Sequence, residues 1–185
     1  MEGHHLILGK TTDLITGETI EDTHDERYRQ KIARFLVNEK SYAKKDIKPR
    51  YDLLAQAGDK MAIIKVDFLV SLENRICMII KYGPGSITTR QRPAIAASRL
   101  IAQYQIPVVV VTNGEDADIL EGLTAKIISN GFDAIPTKPE LIKLSEKFTF
   151  PGIPTARIEA ESRILYAYDV DGSCPCDNSI CRIES

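Results

Sequence analysis

The spacing of apolar positions along the chain changes several times, and each change marks an element. Between Met61 and Tyr82, two short, β-branched, strongly apolar runs flank the polar cluster Ser71-Leu72-Glu73-Asn74-Arg75, which predicts two antiparallel strands joined by a turn. Upstream, Tyr28, Ile32, Phe35 and Leu36 recur at helical spacing. They predict a helix from about Asp25 to Lys40, capped by Asp22 or Thr23 and carrying acids in its first turn. Leu6 to Ile20 reads as a small hairpin turning at Thr16-Gly17-Glu18. After the basic connector Lys44 to Pro49, Tyr51 to Ala57 reads as a strand that leads into the central hairpin.

Downstream, Gly83-Pro84-Gly85-Ser86 breaks the pattern, and a second helix is predicted from Thr88 or Thr89 to about Gln105. Pro93 falls in its first turn, where a missing N–H is tolerated. Ile106 to Gly114 contains an unbroken apolar run, which predicts a central strand buried on both faces and ended by an Asn-Gly turn. Asp116 to Leu120 reads as a further strand at the sheet edge, and Pro139 to Phe148 and Pro154 to Tyr168 as helices. The order predicts an α/β fold: one domain over residues 1–150, then a helical, cysteine-bearing extension over 151–185.

Charge adds an asymmetry that the totals conceal. The 185 residues carry a net charge of −2, which excludes a protein that coats nucleic acid by bulk charge. Residues 40–99, however, hold twelve Lys/Arg against five Asp/Glu, and no acid falls between Lys81 and Arg99. Arg90, Gln91, Arg92 and Arg99 on the second helix are therefore candidate nucleic-acid contacts; the competing reading is an ordinary solvated face. No apolar run is long enough to span a membrane, and Met1-Glu2-Gly3-His4-His5 lacks the features of a signal peptide. A cytoplasmic protein without membrane contact is expected. There is no Walker-type glycine loop, so no motor portion is expected either.

Two lone charges inside the central hairpin call for an explanation: Asp67 in its first strand and Lys81 in its second. By alternation, Lys65, Asp67 and Leu69 are expected on one face, and Cys77, Ile79 and Lys81 on one face of the partner strand. A turn centred near Glu73 sets Asp67 opposite Ile79. One reading makes Asp67 and Lys81 a plain surface ion pair, which contributes little.

The other reading comes from a resemblance. Thr16-Gly17-Glu18, Glu26-Arg27-x-Arg29-Gln30, Lys65-Val66-Asp67-Phe68, Ile79-Ile80-Lys81 and Val110-Val111-Thr112-Asn113-Gly114 resemble the N-terminal nuclease-like domain of type I restriction enzyme R subunits, in a small stand-alone form, over residues 14–136. That family has the PD-(D/E)XK, restriction-endonuclease-like fold, a mixed central sheet flanked by helices. The resemblance implies Mg2+ held by Asp67 and by an acid two residues before the lysine. It also implies that Lys81 polarises water or phosphate, supported by Glu26 from the first helix. Residue 79 is isoleucine, which removes both a ligand and a negative charge.

The resemblance therefore implies a DNA-restriction or DNA-processing protein that is impaired in cleavage and acts as a DNA-binding or accessory module, with another protein subunit or a second copy as partner. An active Mg2+-dependent endonuclease and a protein-interaction scaffold are the alternatives. In the tail, Cys174, Cys176 and Cys181 have the C-x-C-x4-C spacing of ligands for Zn2+ or an iron–sulfur cluster, with His4, His5, His24 or a second chain as the fourth donor.

Overall fold

The structure is a computed structural model that describes residues 7–171 and 180–183, with side chains described up to Asp169. A two-stranded hairpin, β1 (Gly9–Thr12) and β2 (Thr19–Asp22), precedes α1 (His24–Asn38). Thr23 caps this helix, its side chain accepting from the Glu26 N–H. A mixed sheet then follows, built from β3 (Ile47–Ala57), β4 (Lys60–Leu72), β5 (Arg75–Tyr82), β6 (Val108–Thr112), β7 (Ala117–Glu121) and β8 (Ile127–Asn130), side by side in that order. Among the described strands only β5 and β6 pair in parallel, because α2 (Gln91–Leu100) carries the chain across between them. After β8 come α3 (Lys138–Glu146) and α4 (Thr155–Leu165), which continues as a π-helical turn over Tyr166–Asp171. The last described strand, β9 (Ile180–Ile183), pairs with β4.

This is the expected α/β class, a mixed sheet between helices with a helical C-terminal extension, and it fits a nuclease-like core. β6 shows why the sheet needs cover on both sides. Its Val108 and Val110 join one apolar cluster, with Ile32, Phe35 and Leu36 of α1, while Val109 and Val111 join a second, with Ala94 and Ile95 of α2 and Leu165 of α4. Every residue of β6 is buried, so the unbroken apolar run marks a strand packed on two faces.

Several boundaries differ from the pattern. β3 begins at Ile47 and runs through Pro49; it lies at the sheet edge, where a residue without an N–H costs no ladder bond on its open side. α2 ends at Leu100, short of Gln105. There the connector to α4 draws the chain out of the helix: Gln105 N–H donates to the Pro151 carbonyl, and Tyr104 bridges to Gly152. β7 is not the edge strand, because the short β8 lies outside it with Ile127 and Ile128 exposed. Four residues, none of them buried, leave too little alternation to read.

The central hairpin forms as expected, in a different register. Its turn is the residue pair Glu73 and Asn74, both left-handed, and the ladder slips by one residue between Val70 and Ser71. Leu69, not Asp67, therefore stands opposite Ile79. The slip also turns Cys77 into the first cluster while Ile79 enters the second, so these two do not share a face. A second irregularity lies on β4. Val66 and Leu69, three residues apart, both enter the second cluster, so alternation breaks at Asp67–Phe68. Across from this break, between the pairs Pro49–Phe68 and Tyr51–Val66, Arg50 takes a left-handed backbone with φ 49°.

Candidate functional site

Asp67 sits where β4 parts from β5. The β4–β5 ladder ends at Phe68–Ile80, and the freed part of β4, Met61–Ile64, pairs with β9 instead. Asp67, 6% exposed, fills the wedge. Its Oδ2 accepts the Tyr82 backbone N–H at 2.7 Å, and its Oδ1 accepts Arg29 Nε of α1 at 2.6 Å. Arg29 also reaches toward Glu26, 3.9 Å away, and lies over the Tyr82 ring. Its guanidinium thus links the two acids expected to act together.

Glu26 belongs to a closed polar ring. Its Oε1 accepts from Gln30 Nε2 at 2.9 Å and from Arg50 at 2.6 Å, while Arg50 and Gln30 both donate to Asp13 as well, at 2.6 and 2.9 Å. Asp13 Oδ1 in turn accepts the N–H groups of Ile15 and Thr16, tying the β1–β2 loop to α1. Burial pushes the Asp13 carboxyl up, but the Thr16 N–H, Arg50 and Gln30 outweigh it and hold it at about 2. Asp13 and Arg50 were not among the candidates read from sequence. An Asp opening a turn three residues before Thr16 was the available signal for the first, as an Asx turn. Nothing local announced the left-handed kink that aims the second.

Lys81 lies on the opposite side of the sheet from Arg29, the side covered by α2 and α4. Its ammonium pairs with Asp169 of the turn after α4. Asp67 and Lys81 therefore do not satisfy one another, as the ion-pair reading had it: the broken alternation at Asp67 aims the carboxylate into the wedge and toward α1, while Lys81 faces the helices of the other layer. Ile79, fully buried, packs in the second cluster with Leu69, Val109 and Val111. Apolar side chains fill the space beside it.

The candidate nucleic-acid residues separate. Arg99 is buried and donates to Glu161 of α4 at 2.6 Å and to Gln105 at 3.1 Å, so it is not a surface contact. Arg92, 37% exposed at its side chain, lies 2.6 Å from the other Glu161 oxygen as an ion pair without hydrogen-bond alignment. Arg157 closes on Glu161 at 2.7 Å. The acid missing from α2 is thus supplied by α4. Burial pushes the Glu161 carboxyl up, and Arg92 and Arg99 more than reverse this and hold it below the usual range. Gln91 donates to Asp118 at 2.6 Å. Arg90 lies along Gly83 and Pro84, where a side chain at Gly83 would collide with its guanidinium.

A hard divalent ion wants several free carboxylate oxygens. Both oxygens of Asp67 are engaged, Glu26 Oε1 is shared by two donors, and Ile79 contributes none. Among the described residues, no three His, Cys, Asp or Glu side chains gather into a ligand set. As arranged, these donors do not fit such an ion. Cys174 and Cys176 lie outside the described residues, and Cys181 is described only as backbone in β9, opposite Ile63. No helix among the described residues is long and apolar enough to cross a membrane.

Residues 24–136, more than half of the chain, match the family described as type I restriction enzyme R protein N terminus (HSDR_N). The chain belongs to this family. No curated protein and no solved structure matches it. In this restriction-enzyme R-protein domain, the matched region runs from α1 to the loop before α3. It contains Glu26, Arg29, Arg50, Asp67, Lys81, Arg92 and Arg99. Glu161 and Asp169, the acids that meet Arg92, Arg99 and Lys81, come from outside it, as does Asp13, which shares Arg50 with Glu26.

Proposed function

We propose that this restriction-type DNA-processing module is a cytoplasmic, nuclease-fold protein that binds DNA as an accessory unit and does not cleave it. The observation that carries this reading is the commitment of each expected catalytic charge to an internal partner. Arg29 holds Asp67, Arg50 holds Glu26 and Asp169 holds Lys81, around a position where the expected acid is a fully buried isoleucine. Activating water at a phosphodiester needs a metal with free carboxylate ligands or a free base, and this constellation offers neither. The basic excess of residues 40–99 supports contact with a polyanion. Lys44, Lys45, Lys48 and Lys65 among them are exposed.

The test is purified protein with Mg2+ or Mn2+ on single- and double-stranded DNA, with Asp67→Ala as control. The expected result is salt-sensitive binding without nicking. Cleavage abolished by Asp67→Ala would show a working endonuclease and overturn the reading. A second reading, a module that docks on another protein subunit or a second copy, is favoured by the outer edge of β8. Ile127 and Ile128 are exposed there, beside an exposed Leu123. Absence of DNA binding even at low salt, together with self-association, would favour it.

A further inference from the structure

We infer that the turn after α4 is an internal substitute for phosphate: Asp169 occupies Lys81 in the resting protein and is displaced when nucleic acid binds. The inference rests on the DNA-binding reading and adds its regulation.

Three observations lead to it. First, the bases and the acids that cover them have different origins. Lys81, Arg92 and Arg99 belong to the acid-free stretch inside the family region, whereas Glu161 and Asp169 belong to the C-terminal arm outside it. The arm thus brings carboxylates to the groups with which the domain would otherwise meet an anion.

Second, the two contacts are built differently. Glu161 is fully buried, held by Arg99 and Arg92 and closed over by Arg157, and Leu165 beside it is fully buried in the second cluster. Removing one partner of such a buried group leaves an uncompensated charge, so this end of the arm is an anchor. Asp169 makes one described ion pair, in which it and Lys81 keep 14% and 11% of their side-chain surface. It is the end that can let go.

Third, the backbone changes at the boundary between them. The α-helix stops at Leu165, and Tyr166–Asp171 continues as a π-helical turn, a rare form that occurs mostly as single turns and frequently at functional sites. Exchange then means only that the Asp169 carboxylate leaves Lys81 and a phosphate oxygen of the nucleic acid takes its place. No covalent bond changes, and Glu161 keeps α4 in position.

The test compares wild type, Asp169→Asn and the double variant Lys81→Gln/Asp169→Asn, each as the full chain, on a labelled DNA duplex across a salt series. Asp169→Asn is expected to bind about 5-fold tighter, with a log K against log salt slope steeper by about one phosphate contact. The double variant is expected to lose that gain. In wild type, hydrogen exchange of the amides at 166–169 is expected to rise when DNA binds, while those of α4 at 159–165 stay protected. This measurement needs no substitution and stands even if a variant folds poorly. DNA binding by wild type that is unchanged in Asp169→Asn, or that leaves exchange at 166–169 unaltered, overturns the displacement and leaves the DNA-binding reading intact. Absence of binding by all three proteins overturns both.

Discussion

Arg29 of α1 holds the carboxylate of Asp67 at 2.6 Å, across the wedge where β4 leaves β5. The second Asp67 oxygen is held by a backbone N–H of the neighbouring strand, so helix and sheet are joined through one side chain. The acid that resembles a metal ligand thus acts as a rivet in this fold.

Breaking that rivet from the arginine side should be costly. Arg29→Met leaves Asp67 as a buried carboxylate with one remaining N–H, a loss of about 3 kcal/mol by analogy with other buried pairs. Asp67→Asn in the same background removes the charge and should restore part of the stability. Denaturant unfolding of the four proteins in a double-mutant cycle measures the coupling. Additive effects would show that the two side chains do not interact.

Restoring the expected acid should not restore cleavage. Ile79→Glu would place a carboxylate in a cluster of Leu69, Val109 and Val111 with no partner. Burying that unpaired charge costs about 3 kcal/mol or more. Ile79→Val, which keeps the apolar contact, should cost about 1 kcal/mol. The expected outcome is a large fall in the midpoint of thermal unfolding for Ile79→Glu, a small one for Ile79→Val, and no Mn2+-dependent nicking by either. Nicking by a stably folded Ile79→Glu protein would show that the site had lacked only its acid.

These two positions also show how far sequence reading reaches. Asp67 and Lys81 stand out because a charge within a β-branched apolar run is conspicuous, and α1 and β6 because their apolar patterns are unbroken. What joins these elements was not visible. The partners of Lys81 and Arg99 lie 88 and 62 residues away, and no local pattern encodes that distance. Alternation gave the wrong neighbours for Ile79 because a one-residue slip at Val70–Ser71 and a turn made of two residues together shift the pairing. Arg99 reads as a basic helix face until α4 is laid against it.

Asp13 should leave a measurable mark on acid stability. Its carboxyl is held at about 2 in the folded protein, against an ordinary 3.8. A depressed folded pKa contributes stability above the unfolded pKa and loses it as pH falls through the folded one. The contribution is therefore complete above about pH 4 and gone below about pH 2, and amounts to about 2 kcal/mol. Asp13→Asn should be less stable than wild type by about that amount at neutral pH, and the difference should close between pH 4 and pH 2. Urea unfolding of both proteins at a series of pH values checks this. A difference that persists unchanged at pH 2 would assign it to lost packing and not to the charge.

The turn of the central hairpin offers a gain in stability. Glu73 and Asn74 take φ values of 47° and 65°, the two left-handed positions of a type I′ turn. Asn tolerates that region because its short amide bonds locally, whereas Glu has no such compensation and holds its Cβ close to the following carbonyl. The preferred pair for this turn is Asn-Gly. Both residues are exposed, so substitution there disturbs no core contact. Glu73→Asn/Asn74→Gly should therefore relieve backbone strain and stabilise the protein by about 0.5 to 1 kcal/mol. The unfolding midpoint of this variant should rise accordingly in thermal or urea unfolding. A lower midpoint would mean that Glu73 makes a stabilising contact at the mouth of the adjoining cavity of about 510 Å³, which it lines with Arg75, Lys138 and Phe150.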